Sequence, residues 1–508
     1  MNKNVYPIIV ILLVLIWTIN GLAQNNPTIT QKLAASQKFN FFSLPNQSAS
    51  YIGMQARGSS VDVSATYYNP AGLVYLKNNG LHIGLNNQSI RQNTSISGNY
   101  QYYNETDKTF DGLVSAPVFP SFFVAYKKNK FALSMGISPI AGGGGGAFDN
   151  LPTVERNISD IIPNLQAIFA LPTTQLFLGQ CTLDYNSISD YRVDFRSAGS
   201  AYYIGSQIGL SYALHPKVAF SIGTRYVYAQ VKAEGHTRNI EIFPDAYGAW
   251  LSPGNYMRYI AQECNASILD VSASILDFSA GNRDINIEQK GAGFTPIIGL
   301  HIQPVEKLNI GLKYEHKTAI ELTTAVIDGK DGSSNGLHFD PLFIDGTATR
   351  SDLPATISGG VDYLVLPKLT LAAGARYLFN KQTNYDGREA AIDKNTYEIN
   401  AGLLYSLNDD ITLSVGYGFS NWTLNASYQT DVDFWMDVHS MALGAQYSLS
   451  PTVQVNMGLM TSLFNQIKYD FVHTPVPPNS VKDYLGAILP DDIDPVIASI
   501  VENMLDTT

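Results

Sequence analysis

The feature that most constrains this chain is a period of two in hydrophobicity, repeated from about residue 80 onward. In "KLTLAAGARYLF" (368–379), Leu369, Leu371, Ala373, Ala375, Tyr377 and Phe379 share one face. Thr370, Ala372, Gly374 and Arg376 fall on the other. "KVAFSIGTRYVY" (217–228) repeats the scheme, with Arg225 on the small polar face. "KLNIGLKYEH" (307–316) sets Lys313 and Glu315 opposite Leu308, Ile310, Leu312 and Tyr314. "NTYEINAGLLY" (395–405) puts Glu398 among small and polar residues, and "DITLSVGYGF" (410–419) follows the same rule. Successive side chains of a strand point to opposite faces, so each run is a strand between two different environments.

A water-soluble sandwich also alternates, but its outer rows normally carry Lys and Glu. Here the polar row is mostly Gly, Ala, Ser, Thr and Asn, and the apolar row ends in Tyr or Phe. Charged residues are only 15% of the chain, against roughly 25% in a typical soluble domain. That division suits apolar side chains toward lipid, small polar ones toward a lumen, and aromatics at the interfaces. A lipid-exposed sheet can leave no edge unpaired, so such strands must close. The expected fold class is therefore all-β, a transmembrane antiparallel β-barrel. A net charge of −11 and the lack of a basic stripe exclude nucleic acid as a partner.

The one long apolar block stands at the start. "MNKNVYPIIVILLVLIWTINGLAQ" has Lys3, an apolar core from Ile8 to Trp17, and small residues before Gln24. This order predicts a signal peptide over residues 1–23, cut near Ala23. Its apolar run is short for a membrane helix, which needs about 20 residues.

Connections between the strands alternate in length. Tight ones are "KKNK" (127–130), "LHPK" (214–217), "QPVEK" (303–307), "LVLPK" (364–368), "LNDD" (407–410) and "SLSP" (448–451). Long ones cover roughly 97–116, 141–198, 235–284, 327–349, 383–395 and 423–434. Short turns on one side and long loops on the other are how outer-membrane barrels are built. About thirteen strands can be counted, the last over 452–472. Bacterial single-chain barrels have an even number, so the count predicts that a closing strand is missing and that the Pro-interrupted segment from His473 onward is a further outer loop. The alternative is a miscounted strand and a surface tail.

Residues 24–79 precede the first strand and do not alternate. They contain Ala56-Arg57-Gly58, Asp62 and "YYNPAGLVYL" (67–76), whose Asn69-Pro70-Ala71-Gly72 is a turn signal. "VFPSFFVAYKKNKFALSMGIS" (118–138) and "LPATISGGVDYLVLPKLTLAAGARY" (353–377) are two further distinctive stretches. Together these resemble the FadL/TodX (OmpP1) family, outer-membrane transporters of long-chain fatty acids and other hydrophobic compounds. The resemblance implies a fourteen-strand barrel over 80–508, with 24–79 as a hatch in its lumen. It implies a place in the bacterial outer membrane, and that Arg57, Asp62, Asn69, Pro70, Ala71 and Gly72 form the hatch motif.

Candidate site residues fall into three groups. Pro139 removes a ladder donor and the run "AGGGGGAF" (141–148) weakens pairing, so strand three should end irregularly. In the resembled family strand three is kinked and opens the wall sideways, which would assign a lateral exit to Ser138, Pro139 and Gly142. Two outer loops show helical spacing: Val154, Ile158, Ile161, Leu165 and Ile168 in one, Ile260, Cys264, Ile268, Val271, Ile275 and Phe278 in the other. They either pack on one another as a cap or, as the family implies, form a greasy capture site for ligand. The lumen charges Arg225, Lys313 and Arg376 could bind a carboxylate or be satisfied in a network with Glu315, Asp362 and Glu398.

No His-Glu-x-x-His pair and no Cys metal spacing occurs, so neither catalysis, metal nor cofactor is expected. Cys181 and Cys264 both fall in outer loops, and an even count permits one bridge. The expected partners are a hydrophobic small molecule and the lipid or detergent-like molecules of the outer membrane, with the protein a monomer. The competing reading is a barrel that transports nothing and serves as a scaffold or shuttle of a protein secretion system.

Overall fold

A computed structural model describes residues 47–468, apart from short breaks at 52–53, 55–56, 171–173, 176–177, 179, 268, 338–340 and 432. The expected signal peptide and the segment from 473 onward lie outside the described residues. No helix among those described is long and apolar enough to cross a membrane.

The strands are β1 (Gly80–Gly98), β2 (Lys108–Lys128), β3 (Phe131–Phe148), β4 (Ile188–His215), β5 (Val218–Pro244), β6 (Arg283–Val305), β7 (Leu308–Glu315) and β8 (Glu321–Ser334). They continue as β9 (Ala348–Arg350), β10 (Thr356–Leu366), β11 (Leu369–Leu378), β12 (Thr396–Ser406), β13 (Ile411–Asn421), β14 (Val438–Ser450) and β15 (Val453–Phe464). All lie in one antiparallel sheet ordered β1-β2-β3-β4-β5-β6-β7-β10-β11-β12-β13-β14-β15, with β8 paired to β6 and β9. Among the described residues β1 pairs only with β2 and β15 only with β14, so those two edges share no ladder.

The six tight turns expected from sequence all fall between successive strands of this order. The outward rows are apolar and bare: Leu81, Ile83 and Leu85 of β1 and Leu371 and Tyr377 of β11 are exposed, as lipid-facing side chains must be. Inward rows are small or polar and mostly buried, Ser134 and Ser138 of β3 among them.

Three sequence expectations are refined. The Gly run does not end strand three, because ladder bonds need only backbone; residues 144–148 pair with 197–201 of β4. Alternation in the sequence carries strand seven on over 307–326, but it is not continuous: β7 stops at Glu315 and β8 resumes at Glu321. Parts of the long loops are strand as well. β4 and β5 have 28 and 27 residues, where a tilted span needs roughly 9–11, so their far ends rise well beyond the membrane.

Those far ends carry a helical cap. After the short helix α1 (Ala65–Tyr68), the loop helices are α2 (Pro152–Ser159), α3 (Ile161–Ala170), α4 (Pro253–Glu263) and α5 (Leu269–Ser279). Pro163 lies in the first turn of α3, where its missing N–H costs no bond. Ser252 caps α4, accepting from the Asn255 N–H at 3.2 Å. Cys181 and Cys264 are joined by a disulfide that ties the two long loops together, their Cα atoms 4.9 Å apart.

Candidate functional site: the plugged lumen and its wall

Residues 57–76 sit inside the strand ring and are largely buried. Asn69 shows why the turn has this sequence. It is fully buried, its Nδ2 donates to the carbonyls of Gly58 (2.9 Å) and Leu300 (3.0 Å), and its Oδ1 accepts from the Ala71 N–H. Asn69 thus ties the hatch to itself and to β6. Pro70 and Ala71 open a 3-10 turn over Pro70–Tyr75, and the Ser211 hydroxyl of β4 donates to the Pro70 carbonyl at 2.6 Å. A Cβ on Gly72 would lie 2.1 Å from the Ser60 carbonyl oxygen, so no side chain fits there. Leu73, Val74 and Leu76 then pack on Ala125, Ala132, Ala213 and Ala219 at the short-turn ends of β2 to β5.

Arg57 is buried and pairs with Asp62 at 3.3 Å. Its guanidinium carbon stands 3.1 Å from the centroid of the Tyr51 ring. Asp62 also accepts from the backbone N–H and the hydroxyl of Ser64. Arg57, Asp62 and Ser64 are thus bonded to one another, and Asp362 of β10 faces Arg57 from the wall.

Above it, strand register gathers the lumen charges. Lys313, Ser358, Arg376 and Glu398 are successive partners across β7, β10, β11 and β12. Gln207 and Arg225 pair across β4 and β5. Glu315 accepts from Arg225 and from Lys313, each at 2.7 Å. Arg225 also donates to Gln207 Oε1, and Lys313 to the Tyr67 carbonyl at 2.9 Å. Arg376 pairs with Glu398 at 2.6 Å. The Tyr67 ring lies 5.1 Å from both Arg225 and Lys313, within cation–π range. All three cations thus have an acidic partner, with Asp362 apart from this group, and three cations share two carboxylates.

The wall is interrupted beside this cluster. The β2–β3 ladder runs from Phe122/Ile137 to Lys128/Phe131 and resumes only at Ser115/Gly145. Residues 116–121 and 138–144 therefore face each other without ladder pairs, and this stretch holds Pro117, Pro120, Ser138, Pro139 and Gly142. On its other edge β3 slips register against β4 at Pro139/Ala141 and at Gly142/Gly144. Gly142 has φ +89°, and a Cβ there would lie 2.2 Å from the Ala201 carbonyl oxygen. Sequence pointed to this place but missed its partner: Gln47 of the plug donates from Nε2 to the Pro139 carbonyl at 3.1 Å. Its backbone N–H donates to the Tyr68 hydroxyl at 3.0 Å. No periodicity marks Gln47.

The expected capture residues are packed together. Ile158, Ile161, Leu165 and Ile260 join Phe169, Tyr256 and Met257 in one buried cluster with the walls of β4 and β5. Ile268 lies outside the described residues, and the side chains of Val271 and Ile275 are likewise outside them. An apolar groove of about 850 Å³ lies instead on the lipid-facing side of β10 to β15, between Tyr363, Leu371, Leu403, Tyr417 and Leu443.

A lipid-facing antiparallel barrel with a polar-bonded plug defines the class: an integral β-barrel of the outer membrane. Residues 30–459 match the model of the outer membrane protein transport protein family (OMPP1/FadL/TodX), and the chain belongs to that family. Among solved structures it is similar to a FadL homologue of Pseudomonas aeruginosa, with 14% identity and a TM-score of 0.53 over 85% of this chain and 94% of that one. It is also similar to the toluene transporter TodX of P. putida, with 13% identity and a TM-score of 0.49 over 82% and 92%. No curated protein matches.

Proposed function

We propose that the protein takes up hydrophobic small molecules, such as long-chain fatty acids or aromatic hydrocarbons, by passive passage through its plugged barrel. The observation that carries this reading is the ladder gap between β2 and β3. An open lumen would serve a polar solute; an opening in the wall serves a molecule that prefers the bilayer. The family to which the chain belongs, and a structural relative described as a FadL homologue, agree in class.

In this reading residues 24–79 are the hatch and 80–508 the barrel with its outer loops. Ligand leaves water at the loop cap, through faces now closed on one another around Ile158, Ile161, Leu165 and Ile260. It then descends beside Arg225, Lys313 and Arg376, where the excess of one cation receives a carboxylate head group if the ligand carries one. It leaves through Ser138, Pro139 and Gly142. The protein works as a monomer, without catalysis, metal or cofactor.

The test is uptake of radiolabelled oleate and toluene by cells lacking their own transporter. Accumulation dependent on this chain is expected for at least one of them. Accumulation of neither by correctly folded protein, together with copurification of exported proteins, would replace transport with the secretion-scaffold reading.

A further inference from the structure

Between β7 and β8 the wall folds into the lumen. β6 carries Gly291 and Gly293 on its inward row, and a Cβ on them would lie 2.1 Å from the Glu321 carbonyl oxygen and 2.4 Å from that of Ala319. The segment 318–322 therefore lies directly on the inner surface of β6, which only glycines permit. From there Ile320 and Leu322, both fully buried, reach Ile140 of β3, Tyr203 of β4, Val227 of β5 and Leu353. These six side chains form an apolar layer across one half of the lumen.

Its height in the barrel is fixed by sequence position. Counting from the short-turn ends, Arg225 precedes Val227 on β5, and Lys313 and Glu315 precede Ile320 on strand seven. The layer thus lies on the loop side of the charged cluster, and Tyr67 packs against it from below. Ile140 belongs both to the layer and to the unpaired stretch of the wall.

The backbone of this segment is firmly held. Thr318 and Leu353 exchange backbone bonds at 3.0 and 2.9 Å, and the Ser351 N–H donates to the Ile320 carbonyl at 2.9 Å. The Ile320 N–H donates to Asp352 Oδ1 at 3.2 Å. Asp352, fully buried, is paired with Arg350 at 2.7 Å and Lys317 at 3.4 Å. The Tyr203 hydroxyl meets that of Ser351 at 3.1 Å. The Thr295 and Thr318 hydroxyls also meet.

We infer that Ile320 and Leu322, carried on this inward segment, are the specificity-determining constriction of the lumen: they admit apolar molecules past Tyr203 and bar hydrated ones from the charged cluster and the wall gap. A hydrated solute would have to shed water against side chains that offer no hydrogen bond, whereas an apolar one replaces side-chain contacts with its own. Passage moves side chains rather than backbone, because the backbone bonds to Leu353, Ser351 and Asp352 stay made. This inference rests on the transport reading for its purpose, but the barrier itself can be measured without any uptake.

The chain has two cysteines, joined in the disulfide, so an introduced thiol can be labelled alone. Tyr67→Cys places one beneath the layer, and Ala426→Cys places an exposed control on an outer loop. Both are treated in intact cells with a charged maleimide too large for general porins. The Tyr67→Cys thiol is expected to be labelled slowly in the otherwise natural chain and several-fold faster with Ile320→Ala and Leu322→Ala. Ile320→Val, a milder change that keeps the packing, should fall between. Equal labelling of the Tyr67→Cys thiol across this series, with the control thiol labelled normally, would overturn the inference. Should labelling accelerate while oleate and toluene uptake is absent throughout, the barrier stands and the transport reading fails.

Discussion

Away from the unjoined edges of β1 and β15, the described wall is interrupted at two places, and these resolve the same difficulty in opposite ways. At β2–β3, prolines and a left-handed Gly142 remove ladder bonds, and the strands separate. The Pro139 carbonyl there finds its partner in the plug, at Gln47. At β7–β8 the strand leaves the ladder but folds inward, and its backbone groups are satisfied by the wall itself, through Asp352, Ser351 and Leu353. In lipid every backbone polar group needs an internal partner. Where the partner sits differs: at the first place it lies on residues inside the barrel, so the bonding of the gap depends on them, and at the second it lies on the wall, so the inward segment is held by the wall.

The largest effect is expected at the fixed site. Asp352→Ala leaves Arg350, Lys317 and the Ile320 N–H without their buried carboxylate, and breaking a buried pair costs about 3–5 kcal/mol. Urea unfolding, followed by loss of the heat-modifiable band, should report it. An effect below about 1 kcal/mol, no more than a surface ion pair contributes, would mean that the inward segment is not held as described.

Next comes Gly142→Val, which strains a positive φ and drives a Cβ into the Ala201 carbonyl oxygen. Strain of this kind costs about 1–3 kcal/mol, and uptake should change more than it does for a valine placed at exposed Gly387. A change confined to stability would separate the kink from transport.

Gln47→Ala removes one neutral hydrogen bond at the gap, about 1 kcal/mol. Its signature is functional: hydrogen exchange at residues 57–68 should rise, while the segment 318–322 keeps its protection. Equal loosening of both would mean that the two interruptions are held alike. The smallest effect is expected from Thr318→Val, which removes one hydroxyl contact with Thr295 but leaves the backbone bonds to Leu353. A shift of no more than about 1 kcal/mol is expected, read in the same urea series.

Much of the fold was legible in the chain because its information is local. The alternation of Leu369, Leu371 and Tyr377 against Thr370 and Arg376 needs only the pleat of a strand to become two faces. Six tight turns then set the order of neighbours. The turn at Asn69-Pro70-Ala71-Gly72 and the irregularity at Pro139 were legible for the same reason, since proline and glycine act on their own backbone.

What the sequence by itself determined, then, is the barrel, its alternating connections, the plug-to-wall turn and the site of the first interruption. Only the tertiary structure decided which groups answer the bonds those features leave open. Gln47 reaches Pro139 across 92 positions, and Tyr203 reaches Ser351 across 148. Cys181 meets Cys264 across 83, and the greasy faces of two loops are used up on each other. Strand seven reads as unbroken until Gly291 and Gly293 of its neighbour make room for it to turn inward. Such pairings carry no period, because they are set by the curling of the sheet around its lumen, which brings distant inward rows into one small volume.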